Sequence, residues 1–153
     1  MKSLELRVPP LAILFFAGLL MGLIAVGTPP LAWPASVRWG GAVAASMLGI
    51  LTALAGVLSF RRARTTVNPL RPEGASALIA NGIYRYTRNP MYLGMLLVLI
   101  GWAVYLARPW ALLVLPAFVV YMNRFQIGPE ERVLRRIFGA EFDAFRARVR
   151  RWL

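Results

Sequence analysis

The chain has 153 residues, 59% of them hydrophobic, with a mean hydropathy of +0.61 and a formal net charge of +12. That length holds one domain, 1–153, and so apolar a composition excludes an ordinary soluble fold, which needs more polar surface to cover its core. Cysteine and histidine are both missing, which excludes disulfides, thiolate nucleophiles and the commonest metal ligands, so no metal site is expected.

Four apolar stretches predict an all-α integral membrane protein with transmembrane spans at about 9–27, 39–60, 91–107 and 110–125. A spanning helix needs roughly 17–25 apolar residues. The first span stops at Thr28-Pro29-Pro30. Its apolar run is long and lacks a small-residue cleavage site, so it reads as a retained helix instead of a signal peptide. Gly18 and Gly22 in this span, and Gly41, Ala45 and Gly49 in the second, repeat at four-residue spacing and predict close packing between these two spans.

The second span ends at Arg61-Arg62-Ala63-Arg64, and a cytoplasmic loop over 65–89 follows. A loop of that length in so small a chain is functional or disordered, and its Leu78, Ile79, Tyr84 and Tyr86 favour one that folds back over the bundle. The third and fourth spans are separated only by Arg108-Pro109 and predict a helical hairpin, the fourth kinked at Pro116. Beyond it, Gly128-Pro129-Glu130-Glu131 reads as a helix start, with carboxylates where the helix dipole favours them. Amphipathic cytoplasmic helices are expected over 129–152, with Phe142, Phe145, Val149 and Trp152 laid on an anionic lipid surface. No groove-reading motif is present, so nucleic acid is not the expected partner.

Orientation follows from the basic residues. With the N-terminus in the cytoplasm, 16 of the 18 lysines and arginines are cytoplasmic, and only Arg38 and Arg108 lie on the far side. The expected location is the cell (inner) membrane, both termini cytoplasmic.

The chain has no G-x-G-x-x-G and no phosphate-binding loop, and without histidine it can build no histidine-based triad. What remains is Asn81-Gly82-Ile83-Tyr84-Arg85-Tyr86-Thr87-Arg88-Asn89-Pro90-Met91-Tyr92-Leu93-Gly94, and Arg124 followed by Glu130-Glu131. A hairpin brings the two segments together at the cytoplasmic interface. Tyrosines and arginines are also common interfacial anchors, and the glutamates could only cap a helix.

The spacing Gly82-x-Tyr84-Arg85-Tyr86-x-Arg88-x-Pro90-Met91-Tyr92-x-Gly94, followed by Glu130-Glu131-x-x-Leu134-x-x-x-Phe138-Gly139-x-Glu141-Phe142, resembles the isoprenylcysteine carboxyl methyltransferase family. Phospholipid N-methyltransferases share the layout, and the resemblance covers roughly Leu70 to Trp152. It implies a methyltransferase that takes S-adenosylmethionine from the cytoplasm, yields S-adenosylhomocysteine, and receives a lipophilic or small apolar acceptor from the bilayer. The implied cofactor contacts are Ser76, Ala77, Leu78, Ile79, Tyr84, Arg88, Asn89, Pro90, Met91, Tyr92, Glu130 and Glu131. Glu130 and Arg124 carry the implied catalytic roles: Arg124 would hold an acceptor carboxylate or thiolate, and a glutamate would take the proton of an acceptor amine.

Two positions depart from the family pattern. Asn89 stands where the family has histidine, and Gln126 where carboxylate-methylating members have arginine, with Arg124 two residues earlier in the same helical turn as the implied substitute. Methyl transfer from a sulfonium needs alignment and desolvation more than acid–base help, so a chain without histidine can perform it. The alternatives are phospholipid N-methylation and a non-enzymatic four-helix protein. A transporter of that second kind needs a membrane-embedded carboxylate, and the spans hold none.

Overall fold

Proline opens each apolar helix and glycine, arginine or a further proline closes it, as a computed structural model describing residues 5–62 and 77–153 makes plain. Among the described residues the secondary structure is entirely helical. Helix α1 spans Pro10–Val26, its proline sitting where a missing N–H costs nothing. Helix α2 spans Ala35–Arg62, longer at both ends than the sequence pattern suggests. A 3-10 turn at Gly82–Arg85 precedes α3, Pro90–Leu106. Ala107 then adopts the left-handed conformation (φ 49°) and Arg108-Pro109 turns the chain back, giving the expected hairpin.

The return arm differs from expectation. It does not stop near residue 125 and restart at Pro129, but runs as one 30-residue helix, Pro109–Phe138. Within it lie a 3-10 turn at Pro109–Leu113, α4 at Val114–Met122, a π-helical turn at Asn123–Ile127 and α5 at Gly128–Phe138. Helix α6, Ala140–Arg148, follows Gly139. Proline explains both irregular turns. Pro116 and Pro129 cannot donate to the carbonyls four residues earlier, Leu112 and Phe125, and each of those carbonyls lies inside an irregular turn. The expected kink at Pro116 is thus absorbed one turn upstream, and Pro116 itself sits in regular α-helix. The freed Phe125 carbonyl accepts the Leu6 N–H at 3.0 Å.

Helices α2 (Ala35–Arg62) and Pro109–Phe138 are long and apolar enough to cross a membrane; α1 and α3 are apolar but shorter, at 17 residues each. Only 11% of the most apolar window of α2 is buried, so it is not the core helix of a soluble bundle. Leu48, Leu51 and Leu54 stand exposed along it.

Small residues determine the packing, but not between the expected partners. Glycines of α1 and α2 both face α3 and not one another. A Cβ on Gly49 would come within 2.5 Å of the Gly94 carbonyl, so glycine is required at this crossing of α2 and α3. Gly18 and Gly22 of α1 face Leu99 and Trp102 of α3, and the Trp102 indole donates to the Gly18 carbonyl at 3.0 Å. Helix α3 is therefore the central element, with Met21, Leu99, Phe118, Met122 and Ile127 in the core around it.

A second apolar cluster joins the stretch before α3 to α6: Ile79, Tyr84, Phe142, Phe145 and Val149. This corrects the expectation that the aromatic face of α6 lies on lipid. Phe142 and Phe145 are 2% and 4% exposed, buried against the protein's own loop, and Trp152 is packed against the main core.

Candidate active site

The two apolar clusters meet at a cleft framed by the end of α2, the 77–89 stretch, the start of α3, the start of α5 and α6. Phe60, Ala77, Leu78, Ile79, Tyr84, Arg88, Asn89, Met91, Tyr92, Glu130, Glu131, Leu134, Phe142 and Phe145 line it. Its cavity volume is about 100 Å³, so it is a narrow cleft that opens to solvent at its mouth.

Local backbone choices aim these side chains. Gly82 takes a positive φ of 57°, starting the turn that buries Tyr84 edge-on against Phe60, with ring centres 5.7 Å apart. Pro90 begins α3 and delivers Met91 and Tyr92 to the cleft. The Tyr92 hydroxyl donates to Glu130 Oε1, tying the start of α3 to the start of α5. Glu130 lies beyond the apolar part of its helix. Burial pushes its carboxyl up to about 8; the hydrogen bond from Tyr92 opposes this and the charge of Glu131 adds to it. Burial, and then the charge of Glu130, likewise raise the Tyr84 hydroxyl, which stays a neutral donor.

Glu131 sits in a different environment. Arg151 grips it side-on, Nη2 to Oε2 at 2.5 Å and Nε to Oε1 at 3.2 Å, and Arg88 Nη2 donates to Oε1 at 2.8 Å. The neighbouring carboxylates are therefore distinct: one half of the pair is ion-paired, the other faces apolar and aromatic groups. Arg88 also donates through Nη1 to the carbonyls of Val149 (3.1 Å) and Arg146 (3.2 Å), while its buried Nε has no partner among the described residues. The Asn89 amide donates to the Arg151 carbonyl at 2.9 Å.

The structure brings most of the expected site residues together: Ala77, Leu78, Ile79, Tyr84, Arg88, Asn89, Met91, Tyr92, Glu130 and Glu131 all line the cleft. Ser76 lies outside the described residues. Pro90 is buried against Gly56 of α2 and does not line it. Arg124 is also elsewhere. It is half-exposed and pairs with Glu5 at 3.3 Å, where Arg132 pairs too, and it does not line the cleft. Gln126, fully buried, donates to the Val8 carbonyl at 2.5 Å. Phe60, Leu134, Phe142 and Phe145 were not singled out as cleft residues. The i, i+3 pair of phenylalanines was a usable signal; Phe60, at the end of an apolar run, gave none.

The family described as phospholipid methyltransferase matches residues 37–141, more than half of the chain and all of the stretch from Gly82 to Glu131. The chain belongs to that family. That family is one of methyltransferases. A probable protein-S-isoprenylcysteine O-methyltransferase of Oryza sativa is 33% identical over 96 residues, covering 61% of this chain and 49% of the relative. Protein-S-isoprenylcysteine O-methyltransferase B of Arabidopsis thaliana is 29% identical over 106 residues, 67% of this chain and 52% of the relative. An uncharacterized protein of Haemophilus influenzae is 41% identical over 63 residues, its whole length. The chain spans about half the length of the curated plant relatives it matches. No solved structure matches it.

Proposed function

We propose that this methyltransferase binds S-adenosylmethionine in the Tyr84–Tyr92–Glu130 cleft and methylates a lipophilic acceptor at the cytoplasmic face of a membrane. The observation that carries the reading is Glu130, a carboxyl with a raised pKa held by Tyr92 inside a cleft lined by apolar and aromatic groups. The donor set suits the cofactor. Leu78, Ile79, Leu134, Phe142 and Phe145 offer an apolar bed for a purine, and the faces of Tyr84 and Tyr92 favour a cation. Glu130 would hold the ammonium end.

Bound S-adenosylmethionine supplies a methyl group on sulfonium sulfur, open to displacement by a nucleophile. The chain's part is to bind, align and dry the site; Glu130, protonated at rest, can lose its proton when a cation arrives and take up one released by the acceptor.

Four helices crossing the membrane, with α5, α6 and the 77–89 stretch cytoplasmic, is the arrangement supported by the 16-to-2 asymmetry of basic residues. The one cation among the described residues lining the cleft, Arg88, already pairs with Glu131. Gln126 and Arg124 lie elsewhere, so among the described residues lining the cleft no unpaired cation awaits an acceptor carboxylate. That favours the second reading, phospholipid N-methylation, over the prenylcysteine carboxyl chemistry named in the plant relatives.

Calorimetry of S-adenosylhomocysteine binding to folded protein in detergent tests the proposal. Micromolar binding that Glu130→Ala abolishes is expected. No binding at high micromolar concentration would sink the cofactor reading, and undiminished binding by the variant would sink the site.

A further inference from the structure

The residues after α6 wall the cleft from behind. The Arg88 N–H donates to the Arg150 carbonyl at 3.0 Å, and Asn89 Nδ2 and Thr87 Oγ1 donate to the Arg151 carbonyl at 2.9 and 3.3 Å. Thr87 is fully buried there. From the same segment the Trp152 indole donates to Asn123 Oδ1 at 3.1 Å, in the π-helical turn, and Arg151 grips Glu131. One short segment thus ties together the turn before α3, the π turn and α5, although no side chain after Phe145 lines the cleft.

We propose that Arg151 is a positioning residue of the cofactor cleft, acting through Glu131 to fix both the placement and the charge environment of Glu130. The inference rests on the functional reading above. The side-on pair holds Glu131 in one geometry, as two parallel donors from a guanidinium do and a single ammonium cannot. Glu131 and Glu130 are adjacent on α5, so anchoring Glu131 to Arg151 holds the first turn of the helix from which Glu130 reaches Tyr92. The groups around Glu130 are Tyr92 on α3, Tyr84 on the 3-10 turn and Glu131 on α5; Arg88 and Arg151 reach it through Glu131. Removing the Arg151 charge leaves Glu131 less neutralised and disfavours ionisation of Glu130. Removing the Glu131 charge acts in the opposite direction.

The test uses the full chain in detergent, with Arg151→Gln, Arg151→Lys and Glu131→Gln. S-adenosylhomocysteine affinity and the unfolding temperature without ligand are each measured from pH 6 to 9.5. Arg151→Gln is expected to bind about tenfold more weakly, the loss of a charge-assisted hydrogen bond, with the pH midpoint of both curves moved upward. Arg151→Lys should return the midpoint toward the parent while recovering only part of the affinity. Glu131→Gln should move the midpoint downward. An Arg151→Gln protein with the parent's midpoint, whether or not its affinity falls, overturns the proposal, as does a shift of the same sign in Glu131→Gln. If Arg151→Gln does not fold, the sign of the Glu131→Gln shift decides alone. A parent that binds no ligand refutes the cofactor reading instead, and the ligand-free curves still report the coupling.

Discussion

Replacing Glu130 by glutamine should remove most of the protein's pH sensitivity between pH 5 and 9. The carboxyl is held at about 8 against an ordinary value of 4.5. At 1.36 kcal/mol per pH unit, that gap corresponds to about 5 kcal/mol against the charged form, an upper figure because water enters a cleft whose carboxyl ionises. Since folding raises this pKa, the stability it contributes is complete below about 4.5 and is lost as the pH climbs through about 8. The parent should therefore melt progressively lower from pH 5 to 9 in detergent, and Glu130→Gln, neutral throughout, should stay flat and exceed the parent at pH 9. A ligand ammonium beside Glu130 favours the carboxylate, so binding at pH 7 should release a proton from the parent and none from the variant. Calorimetry in buffers of differing ionisation enthalpy reads that release. A variant that keeps the parent's slope would refute the assignment of the buried proton to Glu130.

Tyr92→Phe removes the hydroxyl that donates to Glu130, which should cost about 1.5–3 kcal/mol of stability near pH 9. It should also move the midpoint of the pH curve upward, because that hydrogen bond favours the carboxylate. Phe142→Ala empties a side chain that is 2% exposed at the junction of α6 and the loop. Denaturation should show a loss of about 3–5 kcal/mol, together with weaker S-adenosylhomocysteine binding. Pro129→Ala restores an N–H that competes with Leu6 for the Phe125 carbonyl. Ligand affinity should drop while the unfolding temperature holds or rises, because a regular helix gains where the cleft loses.

The apolar stretches, their proline starts and the hairpin at Arg108-Pro109 were legible because hydropathy and proline act locally. So was most of the cleft lining, where the Gly82–Gly94 and Glu130–Glu131 motifs carry side chains that converge once the hairpin forms. Packing partners were not legible. A glycine repeat shows that some backbone will come close, but only the crossing of α2 and α3 at Gly49 and Gly94 shows which one. The face of α6 was misread for a related reason. A stripe of Phe142, Phe145 and Val149 looks the same whether lipid or Ile79 and Tyr84 cover it.

The misplacement of Arg124 has a more exact cause, and it bears on how the site is built. Reasoning at regular helical spacing, Arg124, Gln126 and Glu130 occupy neighbouring turns, and Gln126 and Glu130, four residues apart, should share a face. The π-helical turn at Asn123–Ile127 takes in an extra residue and breaks that register. Gln126 then points to the Val8 carbonyl, Arg124 to Glu5, and Glu130 alone turns to Tyr92. The turn exists because Pro129 has no N–H to give Phe125, and it persists because Leu6 supplies one from another segment. A proline one residue before Glu130 is thus what separates the groups that hold the first helix in place from the group that faces the cleft.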